Sequence, residues 1–250
     1  MISNVAEIIK TEDPSLLMVY GDVDSTVAAA WAAARLGVPV AHVESGLRSF
    51  DRTMPEENNR IIVDQLASIH FVTEPAGSIN LLKEGHKESI YSVGNTMIDS
   101  LKRLQDSMQL RRHITNRILL TCHRPSNVDD VSFFNDLYLA CQGISLPILW
   151  PIHPRTKKSL KKFNLYESFR SLENMSIVDP MDYATFLKEM SESAAVITDS
   201  GGIQEETTYL NIPCLTIRKN TERPITIKEG SNTLVSVQSL PSHIKSVEAG

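Results

Sequence analysis

The residues from Val196 to Pro224 read VITDSGGIQEETTYLNIPCLTIRKNTERP. An apolar run ends at Asp199 and is followed by Ser200, Gly201 and Gly202, then by a polar helix start carrying paired glutamates. A turn between a strand and a helix turns backbone N–H groups and the positive helix end toward an anion, and glycines let that backbone come close. Glu206, one turn into the helix, is spaced to accept hydrogen bonds from a ribose diol. Arg223, just before Pro224, could bridge a pyrophosphate. Together these residues describe a nucleoside diphosphate site. Asp-Ser-Gly-Gly by itself is more often an ordinary turn with a capping acid nearby.

Other polar residues cluster in the same way. Asp22 follows an apolar segment directly, Glu44 precedes Ser45-Gly46, and Glu56-Glu57 opens a helical stretch. Later segments end in His123-Arg124 and in His153-Pro154-Arg155. Grouped carboxylates raise one another's pKa and can serve as acid and base near neutrality. Each residue also has a structural reading. Asp22 could end a strand, Glu56 could favour a helix dipole, and His123 could be a core histidine. Glu44, two residues after His42, has the weakest structural explanation.

The elements that must position these residues alternate regularly. SLLMVYGD, VPVAHVES, IHFVTE and SIYSVGN read as strands, separated by helices in STVAAAWAAARLG, PEENNRIIVDQLAS and AGSINLLKEG and followed by TMIDSLKRLQDSM. A polar, basic stretch from Gln109 to Asn116 reads as a linker. The alternation then resumes with strands in RILLTCHR, PILWPIHP, MSIVDP, AAVITDS and PCLTIR and helices in VSFFNDLYLACQGI, TKKSLKKFNLYESFR, YATFLKEMSES and IQEETTYLN. Strands spaced by helices of this length predict βαβ units and parallel sheets. The expected fold class is therefore α/β, with two Rossmann-like domains over 1–108 and 109–250. In open parallel sheets ligands bind beyond the carboxyl ends of the strands. Acids at the rim of one domain and His, Arg and glycine turns at the rim of the other predict a cleft, with chemistry on one wall and an anion held by the other.

Composition narrows the class. The chain has 250 residues, is 42% hydrophobic and carries a formal net charge of −5 with acids and bases interspersed. No apolar run approaches a membrane span, and the first residues lack a basic region leading into an apolar one, so no membrane partner or secretion signal is expected. The single basic cluster, RTKKSLKK, has no interleaved aromatics, which argues against nucleic acid as a partner. Cys122, Cys141 and Cys214 are odd in number and lie among apolar neighbours, as buried thiols in a reducing cytoplasm would.

Over nearly its whole length the chain resembles the non-hydrolysing UDP-N-acetylglucosamine 2-epimerases. The matching motifs are GDVDSTVAAAWAAARLGVPVAHVESGLRSFDRTMPEENNR, VGNTMIDSL, CHRPSNV, PIHPR and ITDSGGIQEETTYLNIPCLTIRKNTERP. The resemblance implies a two-domain fold of the glycosyltransferase-B kind, cytoplasmic and homodimeric. It also implies interconversion of UDP-GlcNAc and UDP-ManNAc for cell-surface polysaccharide synthesis, without metal or nicotinamide cofactor. UDP would be eliminated to leave a 2-acetamidoglucal and then re-added after protonation on the opposite face. The family's catalytic acids map onto Asp22, Glu44 and Glu56, and His123 maps against the UDP phosphates. Arg48, His153 and Arg155 map to substrate or effector contacts, and Ser200, Gly201, Gly202, Glu206 and Arg223 to the UDP site.

This chain departs from the family pattern in three places. The family's H-R-x-E-N reads HRPSN here, so Ser126 removes an acid from the neighbouring site where a second UDP-GlcNAc activates bacterial members. No G-T-R-P-E-type loop precedes MISNVAEIIK, and the chain stops at SVEAG, so it reads as an epimerase trimmed at both ends. Two alternatives stand beside the epimerase: a UDP-sugar-binding remnant or part of a split enzyme, and a hydrolysing relative that releases UDP and ManNAc.

Overall fold

The structure, a computed structural model, describes residues 1–108 and 115–248. The expected linker falls outside the described residues except for Thr115 and Asn116. Two compact units form. One comprises Met1–Thr96 with Thr221–Ile225, and the other comprises Met97–Asn220 with Thr226–Gly250.

The first unit holds a four-stranded parallel sheet in the order β1-β2-β3-β4, with β1 Leu17–Tyr20, β2 Val40–Val43, β3 Ile69–Val72 and β4 Ile90–Ser92. Tyr20 pairs with Val43, so the turns after β1 and β2 leave the sheet side by side. The alanine-rich helix Asp24–Arg35 buries Ala28, Ala30, Ala32 and Ala33, and packs with Val19, Val40 and Val63 into one core. Small side chains there let helix and sheet approach closely.

The second unit holds six parallel strands in the order β10-β9-β8-β5-β6-β7. They are β5 Ile118–Thr121, β6 Ile148–Pro151, β7 Met175–Val178, β8 Ala195–Thr198, β9 Cys214–Thr216 and β10 Asn232–Leu234. All four residues of β5, of β6 and of β8 are buried, as continuous apolar runs flanked by helices on both faces require. Sequence order reverses between β5 and β8, where Thr121 pairs with Thr198. That is the switch point at which doubly wound sheets bind ligands.

Three expectations shift. The sequence places the helix Thr96–Met108 in the first domain, whereas its Leu101 is buried with Leu119, Leu149 and Leu187 in the second unit's core. The compact units therefore divide near 96 rather than at 108. The segment from Thr156 to Arg170 is two helices, Pro154–Lys162 and Tyr166–Arg170, because Asn164 adopts a left-handed φ of 58° between them. Strand β10 carries no apolar run in the sequence and forms by pairing with β9. The three cysteines are free and buried. Among the described residues no helix is long and apolar enough to cross a membrane, and no group of three or more His, Cys, Asp or Glu residues is placed to hold a metal ion.

Candidate functional site

In the first unit, Gly21 ends β1 with φ 63°, and a Cβ there would meet the Glu44 Oε2 at 3.3 Å. Glycine thus lets the β1 turn lie against a carboxylate. Asp22, next along, is ion-paired with Arg60 at 2.6 Å. Arg60 comes from the helix Pro55–Leu66 and also donates to Glu57 at 2.8 Å, and Glu222 lies 3.9 Å from it. Glu44 has φ 74° and receives a hydrogen bond from the Arg223 guanidinium. Burial raises the Asp22 pKa, the Arg60 charge and hydrogen bond lower it, and Glu44 and Glu222 add to the rise, leaving a net upward displacement. A carboxylic acid so placed can exchange a proton nearer neutrality than an exposed aspartate.

The neighbouring pair Glu56-Glu57 divides in role. Glu57 is fully buried and accepts from the Ser49 N–H, the Ser49 hydroxyl, the Phe50 N–H and Arg60. It fixes the loop before the helix. Glu56 is half-buried and makes no hydrogen bond or ion pair among the described residues, so its carboxylate is uncommitted. Arg48, expected at a substrate contact, is 3% exposed. Its guanidinium donates to Glu84 at 2.8 and 2.6 Å, to the Leu47 carbonyl at 2.7 Å, and pairs with Asp64 at 2.8 Å. It braces the loop after β2.

In the second unit, the turns after β5 and β8 are tied by Asp199, a fully buried carboxylate. It accepts from the backbone N–H groups of His123 at 3.1 Å and Arg124 at 2.9 Å, and from the Asn127 amide at 3.1 Å. The His123 ring lies 3.4 Å from Asp199 and is partly exposed. Burial, reinforced by the nearby His153 and Arg124, lowers its pKa against the opposing pull of Asp199, which favours a neutral imidazole. His153 faces it with ring centroids 5.4 Å apart and accepts the Arg155 N–H at 3.1 Å as cap of its helix. Arg155 is exposed and paired with Asp129.

Ser200 is the N-cap residue of the helix Gly201–Tyr209, with no side-chain cap bond, so the first backbone donors of the helix surround Ser200, Gly201 and Gly202. Glu206 is 4% exposed and accepts from the Tyr183 hydroxyl at 2.8 Å. Burial pushes its pKa up, only partly offset by that bond. A helix N-terminus with a buried acid one turn along suits a phosphate beside a hydroxyl-bearing sugar.

The structure therefore groups His123, His153, Ser200, Gly201, Gly202 and Glu206 on the second unit, and Asp22, Glu44 and Glu56 on the first. Arg223 is the exception. Expected beside the phosphate residues, it belongs to the first compact unit and engages Glu44. Sequence reasoning missed Arg60, Tyr183 and Glu222, and placed Asp199 only at the end of an apolar run, without its anchoring role. Two of the missed residues carried a signal, since Arg60 closes PEENNR and Glu222 precedes Arg223 in TERP.

Residues 1–246 match the family model described as UDP-N-acetylglucosamine 2-epimerase. The UDP-N-acetylglucosamine 2-epimerase of Methanocaldococcus jannaschii is 38% identical over 250 residues, covering 94% of this chain and 68% of that one. The crystal structure of the M. jannaschii UDP-GlcNAc 2-epimerase in complex with UDP-GlcNAc and UDP superposes with a TM-score of 0.91 at 37% identity, over 99% of this chain and 72% of that one. A UDP-2,3-diacetamido-2,3-dideoxy-D-glucuronate 2-epimerase from Pseudomonas aeruginosa is 36% identical over 245 residues, covering 94% of this chain and 67% of that one.

Proposed function

This chain belongs to the UDP-N-acetylglucosamine 2-epimerase family, an isomerase family with a glycosyltransferase-B-like α/β fold, and from that premise we propose that it interconverts UDP-GlcNAc and UDP-ManNAc. The observation that carries the reading is the gathering of Asp22 and Glu44 on adjacent turns, with the Asp22 pKa raised. The C2 proton of the sugar is not acidic enough for direct removal, so inversion needs a leaving group on C1. A carboxylate of the Asp22, Glu44 and Glu56 set takes the C2 proton as the C1–O bond breaks, giving a 2-acetamidoglucal and UDP. UDP then re-forms the C1–O bond while a second carboxyl group delivers a proton to the other face of C2. Atoms and charge balance without a co-reactant.

The binding roles follow the groups at hand. The N–H groups at Ser200, Gly201 and Gly202 hold phosphate oxygens, and Glu206 accepts from the ribose. His123 steadies the departing diphosphate, with His153 beside it. Arg223 is assigned to Glu44 rather than to the pyrophosphate, and Arg48 to the loop that carries Glu44. Arg155 remains a candidate for the outer part of the substrate. The reading further takes the protein as a cytoplasmic homodimer serving cell-surface polysaccharide synthesis, which the family resemblance supports and sedimentation and gene disruption would test.

The 36% identity to an epimerase of a diacetamido glucuronate favours a second reading, the same C2 chemistry on that acidic sugar. One experiment separates the possibilities. UDP-GlcNAc and the UDP-diacetamido uronate are each incubated with the protein in deuterium oxide, quenched and analysed. UDP-ManNAc labelled at C2 supports the proposal. Unlabelled C2 with turnover excludes elimination, free ManNAc with UDP marks a hydrolysing enzyme, and turnover of the uronate alone reassigns the substrate.

A further inference from the structure

Beneath the turns that carry Asp22 and Glu44 lies a buried polar cluster that the proposed chemistry does not use. His42 on β2, Asp64 on the helix Pro55–Leu66 and Ser45 are fully buried, with His70 on β3 and Arg48 nearly so. Asp64 Oδ1 accepts from His42 Nδ1 at 2.6 Å and from the Ser45 hydroxyl at 2.5 Å. Its Oδ2 accepts from the Gly46 N–H at 3.0 Å and pairs with Arg48 at 2.8 Å. Surrounded by four donors, Asp64 is ionised. Burial alone would raise its pKa, but His42, Arg48 and Ser45 together hold it well below the usual carboxylate range.

Proton accounting then fixes the charge of each histidine. His42 Nδ1 faces a carboxylate, and its Nε2 lies 2.9 Å from the Gly21 carbonyl oxygen, which can only accept. Both ring nitrogens must therefore donate, and only an imidazolium carries two N–H groups. The Ser45 proton is committed to Asp64, so the contact at 2.9 Å between Ser45 Oγ and His70 Nδ1 needs the donor on His70. Burial lowers the His70 pKa, in keeping with one proton on that ring. The charged groups facing His42 are Asp64, with Arg48 and its partner Glu84 beyond it, and His70 with His86 packed 4.6 Å away. Two cations, His42 and Arg48, meet two anions, Asp64 and Glu84, so the cluster is neutral.

We propose that His42 is a positioning residue, donating from both ring nitrogens to Asp64 and to the Gly21 carbonyl, and that this clamp aims the Asp22 and Glu44 carboxylates. Gly21 immediately precedes Asp22, and Glu44 follows His42 by two residues in a left-handed conformation that a glutamate adopts only under constraint. The constraint is visible. Glu44 and Ser45 both donate their N–H groups to the Phe71 carbonyl at 3.0 and 3.1 Å, and Asp64 accepts from the Ser45 hydroxyl and the Gly46 N–H. Because the turns after β1 and β2 share the His42 ring, one charged side chain sets the spacing of two carboxylates from different strands.

The test uses the full chain labelled with ¹⁵N-histidine. Spectra at neutral pH should show one ring, absent in His42→Gln, with both nitrogens protonated. A neutral ring at His42 overturns the charge assignment. The positioning role rests on the proposed carboxylate chemistry and is read from kinetics. His42→Gln should lower kcat on the order of 10²-fold with UDP affinity unchanged. A folded His42→Gln with wild-type kcat overturns it. Wild-type protein inactive on every UDP-sugar would sink the carboxylate reading instead, while the spectra still decide the charge of His42.

Discussion

Arg223 donates through its Nη2 to the Oε1 of Glu44, a residue 179 positions earlier in the chain. The arginine expected to bridge a pyrophosphate is thus the counter-ion of a candidate catalytic carboxylate. Its neighbour Glu222 is turned toward Arg60, the partner of Asp22. The segment Thr221–Ile225, part of the first unit, therefore supplies one anion and one cation to that unit's acidic group.

That pairing predicts coupling. Glu44→Gln and Arg223→Ala should each reduce turnover, and the double variant should lose less than the sum. The interaction term should be about 0.5–3 kcal/mol. Steady-state kinetics on the four proteins of the cycle measure it, and strict additivity would place the two residues in separate roles.

The carboxylates themselves should separate chemistry from binding. Asp22→Asn, Glu44→Gln and Glu56→Gln should each lower kcat by roughly 10²–10⁴ while calorimetry finds UDP affinity little changed. Equal losses of UDP affinity in all three would mean that they build the nucleotide site instead.

Glu206 ties function to pH. Its folded pKa is raised by burial, so the folded state holds the proton more tightly than the unfolded chain. Its stabilising contribution is complete below the ordinary glutamate value of about 4.3 and is lost as pH rises through the higher folded value. Glu206→Gln should accordingly melt at a higher temperature than wild type at pH 8, with the gap closing near pH 4, yet bind UDP more weakly. A melting difference independent of pH would show that the carboxylate is not ionising at a cost.

Asp199→Ala should be the most damaging single change in the second unit. It removes the acceptor of the His123 and Arg124 N–H groups, at about 1–3 kcal/mol for each lost bond, and leaves the Asn127 amide only its bond to the Ile217 carbonyl. Chemical denaturation should register the loss. UDP binding should fall with it, because the β5 and β8 turns lose their common anchor.

Gly46→Ala tests the backbone near Glu44. Gly46 has φ 79°, and an added Cβ would sit 2.4 Å from the Gly77 carbonyl oxygen. Left-handed strain and overpacking together should cost about 3 kcal/mol or more. Turnover in whatever folds should drop, since the displaced turn carries Glu44. Wild-type stability in this variant would mean the Gly46 turn is far more yielding than its packing implies.

How much of this was legible in the sequence depended on how local the cause was. Alternating apolar runs and helical stretches are short-range patterns, and they marked strands such as Leu119 within RILLTC and Val196 within AAVIT without knowledge of partners. The turn at Ser200, the acids at strand ends and the family motifs are likewise contiguous, so Asp22, Glu44, His123 and Glu206 could be named from the chain alone. Tertiary structure decided what contiguity cannot express. It sent the helix Thr96–Met108 to the second core through Leu101, and it made Asp199 rather than its neighbours the anchor of two turns. It buried Glu57 and left Glu56 uncommitted, and it brought Arg223 back to Glu44. Each outcome turns on which face of an element meets which distant surface. Neighbours identical in type, such as Glu56 and Glu57, receive opposite roles only when a helix is set against a sheet and one carboxylate is left inside.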